Sequence, residues 1–115
     1  MPITWIFDLD GTIVSHNGHL DVREELLPGV KEFWERLPAH YFVLILSTQS
    51  SAYVQQTKAF LAANQIRYDQ ILFDLPTGER IVINDGKPSG LKTAFAVNTS
   101  RDGGLDFRVN IDRDL

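Results

Sequence analysis

Two carboxylates two residues apart, Asp8 and Asp10, stand in the stretch Phe7-Asp8-Leu9-Asp10-Gly11-Thr12. They follow the apolar run Ile3-Thr4-Trp5-Ile6-Phe7, whose β-branched and aromatic residues predict a buried strand. Gly11 can take backbone angles that other residues avoid, so the chain can turn there. In open α/β sheets ligands bind at the carboxyl ends of the strands, which makes this strand end a candidate site. Two later apolar runs also end in oxygen-bearing side chains. Tyr41-Phe42-Val43-Leu44-Ile45-Leu46 runs into Ser47-Thr48-Gln49-Ser50-Ser51, and Arg80-Ile81-Val82-Ile83 into Asn84-Asp85. If these strands are parallel neighbours, Asp8, Asp10, Ser47, Asn84 and Asp85 lie along one edge of the sheet. Carboxylates and an amide are hard ligands that suit magnesium rather than zinc. A divalent ion beside a free carboxylate is an apparatus for phosphoryl transfer: the ion neutralises phosphate oxygens and the carboxylate attacks phosphorus.

The intervening chain must position these groups. Pro28-Gly29 introduces a helix with Val30, Phe33, Trp34 and Leu37 on one apolar stripe, stopped by Pro38. Trp34 on that stripe reads as core. The run 41–46 shows no alternation, which predicts a central strand covered on both faces. Ser50 or Ser51 caps the next helix, over 52–64, with Tyr53, Thr57, Phe60 and Leu61 on one side and Asn64 as its C-cap. That leaves Ser47 without a structural duty, although a local hydrogen bond could occupy it. Further strands are expected at 70–73, 80–83 and 93–97, with Lys87-Pro88-Ser89-Gly90 forbidding regular structure. The link 74–79 is too short for a crossover helix, so strands 70–73 and 80–83 are antiparallel or one lies outside the main sheet. Residues 12–20 form a short flap or a plain surface loop. From about residue 100 the tail is irregular: Phe107, Val109 and Ile111 alternate as a loose edge strand or an ordered extension, and 112–115 should fray.

A chain of 115 residues, 43% hydrophobic and 23% charged, is expected to be a single domain over 1–115. The absence of cysteine excludes disulfides, thiolate chemistry and a cysteine zinc site. No apolar run approaches membrane length, and acids within the first ten positions argue against a secretory signal. A cytoplasmic protein without a membrane partner is expected. The net charge of −4 leads to the expectation of no nucleic-acid partner. It leaves room for a small phosphorylated substrate, because a metal ion inverts the local potential. His16, His19 and His40 have no metal-ligand spacing and read as solvent-facing or lightly buried, although His16 in the flap could touch substrate.

The motif Asp8-Leu9-Asp10-Gly11-Thr12 after a hydrophobic strand resembles the first motif of the haloacid dehalogenase-like phosphohydrolases, and the resemblance runs from Ile3 to about Val97. It implies an α/β, Rossmann-like three-layer sandwich with a mostly parallel central sheet, and no cap domain, because neither insertion point has room for one. It also implies that Asp8 is the nucleophile, that Asp10 is the general acid and base, and that Ser47 binds phosphate. Thr48 comes one place too late for that last role. The basic residue is Arg80, with Lys87 as its competitor and Lys58 a weaker one. Asp8, Asp10 and Asp85 would bind Mg2+, with Asn84 and Thr12 just behind them. Asn84 departs from the acidic pair common in the family. Capless members tend to take larger phosphorylated substrates or to close the site with a partner subunit, so a homo-oligomer is considered. The activity implied is a magnesium-dependent phosphomonoesterase acting on a sugar phosphate or another phosphorylated metabolite. Asn84 and the basic residue motivate the alternative, a catalytically weak phosphate-binding or assembly module. A phosphoacceptor receiver domain is disfavoured, since such a domain carries its acceptor on a later strand.

Overall fold

The computed structural model describes residues 2–16 and 24–108. Three strands, β1 (Thr4–Asp8), β2 (Phe42–Leu46) and β3 (Gln70–Leu72), form a parallel sheet in the order β1-β2-β3. The register pairs Phe7 with Ile45 and Ile45 with Ile71. Helix α1 (Val30–Arg36) connects β1 to β2. A 3₁₀ turn at Ser51–Tyr53 and helix α2 (Val54–Ala63) connect β2 to β3. The Ser50 side chain accepts from the Ala52 N–H and starts this second connection, while Asn64 ends α2.

Side chains alternate across a strand, and here one parity is buried. Phe7, Val43 and Ile45 join Val30 and Trp34 of α1 and Leu61 of α2 in one core, with Trp5 and Ile71 against it. Successive right-handed crossovers that step in one direction across a sheet put their helices on the same face. Both helices therefore cover one side. The other side presents Ile6, Phe42 and Leu72 at 50%, 44% and 45% exposure. The expected three layers are thus two among the described residues, and β2 is covered on one face only. An apolar run without alternation reports residue type, and whether later chain comes back to cover the second face is a tertiary matter.

The ring of Phe7 packs against Trp34 at 4.6 Å and Phe33 at 5.5 Å, and Trp5 meets Phe33 edge-on at 5.1 Å. The Trp34 indole N–H donates to the Arg67 carbonyl at 2.9 Å, so the ring is core with its polar tip satisfied. Residues 11–14 turn tightly and bury Ile13 and Val14 at 0% and 1% exposure. Val14 bridges both Asp10 and Leu26. This part of the expected flap is therefore core. Its remainder, including His19, lies outside the described residues.

Beyond β3 the expected strands at 80–83 and 93–97 are not part of the sheet. Residues 76–98 run exposed and without regular structure apart from a turn near Gly90. The tail then returns to the body. Asp102 N–H donates to the Gly11 carbonyl at 2.9 Å, Leu105 N–H to the Pro28 carbonyl at 2.9 Å, and Phe107 reaches Phe33 at 6.2 Å. The tail is an ordered extension as far as residue 108, and Val109, Ile111 and 112–115 lie outside the described residues. Among the described residues no helix is long and apolar enough to cross a membrane.

Candidate phosphoryl-transfer site

Parallel pairing brings the carboxyl ends of β1 and β2 side by side, with Asp8 opposite Leu46. The pairing continues one step past the strands, where Leu9 N–H donates to the Leu46 carbonyl at 3.1 Å. Leu9 is fully buried, which sets Asp8 and Asp10 on either side of an anchored residue. Gly11 takes φ +83°, the left-handed region where a side chain would be strained, and turns the chain away from the sheet.

Both carboxylates are held. One Asp8 oxygen (Oδ1) accepts from the Arg80 guanidinium at 2.7 Å and the other (Oδ2) from the Thr12 hydroxyl at 3.2 Å. The Arg80 and Asp8 side chains are 34% and 40% exposed, so water screens this ion pair. Asp10 Oδ1 accepts from the Gln49 side-chain amide at 2.8 Å, and the Ser47 hydroxyl stands 3.5 Å from Asp10 Oδ2. Ser47 is fully buried. Its N–H donates to the Leu72 carbonyl at 2.8 Å, and its hydroxyl accepts from the Gln49 N–H at 3.0 Å. Gln49, 3% exposed, is fixed from behind because the buried Thr57 hydroxyl of α2 donates to its side-chain carbonyl at 2.7 Å. Asp74, at φ +59°, clamps the same loop: its N–H donates to the Gln49 carbonyl and its carboxylate accepts from Ser51 N–H.

The fold thus brings together Asp8, Asp10, Thr12, Ser47 and Arg80. It does not bring Asn84, Asp85 or Lys87 to them. All three are exposed on the segment beyond β3, where the Asn84 amide donates to Thr93 Oγ1 at 2.8 Å and the Thr93 hydroxyl to the Asp85 carbonyl. The expected common edge of five residues is therefore an edge of three, because 80–83 is not a sheet strand. Among the described residues no three His, Cys, Asp or Glu side chains are grouped to hold a metal ion. Asp8 and Asp10 supply hard oxygens, but two carboxylates already bonded to protein donors make an incomplete magnesium shell. Lys58, Thr48, His16 and His40 are exposed; His16 N–H donates to Asp102 Oδ1 at 2.7 Å, closing the loop beside Gly11.

The sequence reading gave Gln49 no role and read Thr57 only as part of a helix side. The signal was a second polar residue, two places after Ser47, in a segment read for Ser47 and for helix caps. The approach of Asp102 to Gly11 carried no signal at all.

No protein-family model and no curated relative matches the chain. Two chains of solved structures do. One belongs to a Pnkp1/Rnl/Hen1 complex, with TM-score 0.55 and 30% identity over 70% of this chain and 31% of that one. The other belongs to a Pnkp1/Rnl/Hen1 RNA repair complex, with TM-score 0.52 and 30% identity over 70% of this chain and 28% of that one. This chain spans less than a third of the chains it matches. The likeness shows a shared fold over most of the chain. It also overturns the expectation of no nucleic-acid partner, since a similar structure is part of an RNA repair complex. That expectation came from net charge, which averages over the whole chain. Locally, Arg80 stands on the Asp8 carboxylate, and Arg101 borders Gly11, with its Cγ 3.4 Å from where a glycine substituent would stand.

Proposed function

We propose that this chain is a phosphomonoester hydrolase of the haloacid dehalogenase-like kind, working through an aspartyl-phosphate. The observation that carries the reading is the pairing of two carboxylates two residues apart, Asp8 held by Arg80 and Asp10 held by Gln49, at one end of a parallel sheet. A carboxylate beside a guanidinium suits attack on a phosphate, since the cation that pairs with the free carboxylate can instead pair with phosphoryl oxygens. Asp8 attacks phosphorus and the ester P–O bond breaks, while Asp10 gives its proton to the leaving oxygen. Water, deprotonated by Asp10, then attacks the acyl phosphate, releasing inorganic phosphate and regenerating Asp8. Arg80 holds phosphate oxygens, Thr12 steadies Asp8, and the fully buried Ser47 steadies Asp10.

Magnesium belongs to this reading through the family resemblance. Asp8 and Asp10 would hold it, and its chemistry would be to neutralise phosphate charge; Asp85 completes the shell only if its segment moves. The likeness to an RNA repair complex brings phosphorylated RNA ends, which are monoesters, into the substrate class beside sugar phosphates and nucleotides. The exposed position of Asp85 favours a second reading, a phosphate-binding or assembly module with weak turnover.

One experiment separates the two. Wild type and Asp8→Asn are assayed for phosphate release from sugar phosphates, nucleotides and RNA oligomers with 5′ or 3′ monophosphate ends, with and without magnesium. Release by wild type that the substitution abolishes is the expected result. Phosphate binding without turnover on any substrate would leave the module.

A further inference from the structure

The segment between Glu79 and Asn98 is chemically odd for a surface loop. Ile81, Val82, Ile83, Leu91, Phe95 and Val97 are exposed at 84%, 63%, 94%, 39%, 80% and 53%. A monomeric protein rarely exposes contiguous apolar patches beyond a few hundred Å². At about 60–120 Å² for an aliphatic side chain and 150–250 Å² for an aromatic one, these six leave roughly 300–600 Å² in water.

The segment is also an arm with a defined shape. Lys87 N–H donates to the Leu91 carbonyl at 3.2 Å and Gly90 N–H to the Lys87 carbonyl at 2.8 Å, forming a tip. Thr93 ties both Asn84 and Asp85. Along the chain Ile81 and Ile83 share one parity of the first limb, and Phe95 and Val97 one parity of the second. Both limbs are rooted at the candidate site, one by Arg80 on Asp8 and the other by Asp102 on the Gly11 carbonyl. The molecule measures 49 × 29 × 24 Å, with a radius of gyration of 14.9 Å against about 13 Å for a compact domain of ~100 residues.

Among the described residues a second apolar surface also lacks a cover: the sheet face bearing Ile6, Phe42 and Leu72. The arm does not cover it in its own chain, as the exposures of Ile81 and Ile83 show. The dimensions match. A limb such as 80–85 spans about 20 Å at ~3.3 Å per residue, and a five-residue strand about 17 Å.

We propose that two copies of this chain form a two-fold dimer by exchanging arms, each arm laying Ile81, Ile83, Phe95 and Val97 across the open sheet face of the other copy. When the exchange is reciprocal about a two-fold axis the pair is isologous, with every contact made twice, whereas one-way docking of the same surfaces would run head to tail. The four arm side chains and the three on the receiving face together bring roughly 400–700 Å² of apolar area per partner, which covers the apolar share, about 450–520 Å², of the roughly 800 Å² per partner in a standard stable interface. Because Arg80 sits at the arm's root, seating the arm also fixes the cation that meets Asp8.

The test is sedimentation equilibrium at about 50 μM of wild type, Ile83→Asp/Phe95→Asp and Phe42→Asp, with circular dichroism on each. Wild type is expected at about 26 kDa, twice the 13.0 kDa chain. Both variants are expected at the monomer mass with unchanged dichroism, since these side chains lie on the surface of the single chain. Because the chain has no cysteine, a second measurement does not depend on how well these variants fold. Leu72→Cys mixed with a tagged Phe95→Cys should form a disulfide-linked mixed dimer on mild oxidation. A monomeric wild type overturns the proposal, as do a dimer that survives the arm substitutions and one that survives Phe42→Asp with no mixed disulfide, which would mean arms pairing with each other.

Discussion

Replacing Gln49 by leucine tests the chain of hydrogen bonds that holds the candidate site. Leucine keeps the approximate volume but removes the amide that donates to Asp10 at 2.8 Å and the carbonyl that accepts from Thr57 at 2.7 Å. Two costs follow. A hydrogen bond to a charged group is worth about 1.5–3 kcal/mol, and the low end applies because Asp10 is only partly buried and water can replace the donor. The Thr57 hydroxyl, 1% exposed, loses its partner, and an unsatisfied buried group costs about 1–3 kcal/mol. The expected loss is roughly 2.5–4.5 kcal/mol, a large share of the ~5–15 kcal/mol that holds a typical domain. Thr57→Val alone orphans the Gln49 carbonyl instead and should cost about 1–2 kcal/mol. In the double variant neither orphan remains, so its loss should fall at least ~1 kcal/mol short of the sum of the singles. Urea unfolding of the four proteins reads this directly, provided the slopes agree. Additive losses, or a Gln49→Leu cost below about 1 kcal/mol, would refute the argument that Gln49 links α2 to Asp10.

Other perturbations separate stability from chemistry. Arg80→Ala should change unfolding stability by less than about 1 kcal/mol, because its pair with Asp8 is screened, while weakening inorganic phosphate binding in a calorimetric titration. Leu61→Ala removes a fully buried side chain and should cost about 2–5 kcal/mol in chemical denaturation. Gly104→Ala forces a side chain into φ +79° and against the Pro28 carbonyl, so it should cost at least about 2 kcal/mol and lower the thermal midpoint.

Local pattern was enough for β1, α1, β2, α2 and β3, because each is a short apolar run or stripe punctuated by Pro28-Gly29, Pro38 and Ser50. The same reasoning failed at 80–83 and 93–97. Their residues have equal β-propensity, yet propensity describes fit to a half-buried pleated surface, and these segments pair with neither edge of the sheet β1-β2-β3. Asn84 and Asp85 follow those residues out of the site. Leu9 and Ser47 show the opposite case, where pairing of β1 with β2 turns two distant strand ends into neighbours.

The order of types along the sequence by itself determined a strand ending in Asp8 and Asp10, a second strand ending in Ser47, and helices between them, since apolar period and capping act over a few residues. Only the tertiary structure decided that Arg80 meets Asp8, that Gln49 and Thr57 hold Asp10, that Asp102 closes on Gly11, and that one face of the sheet stays open. Each of these is a contact between segments far apart in the chain, set by how the crossovers stack and where the arm is rooted, and no local pattern carries that information.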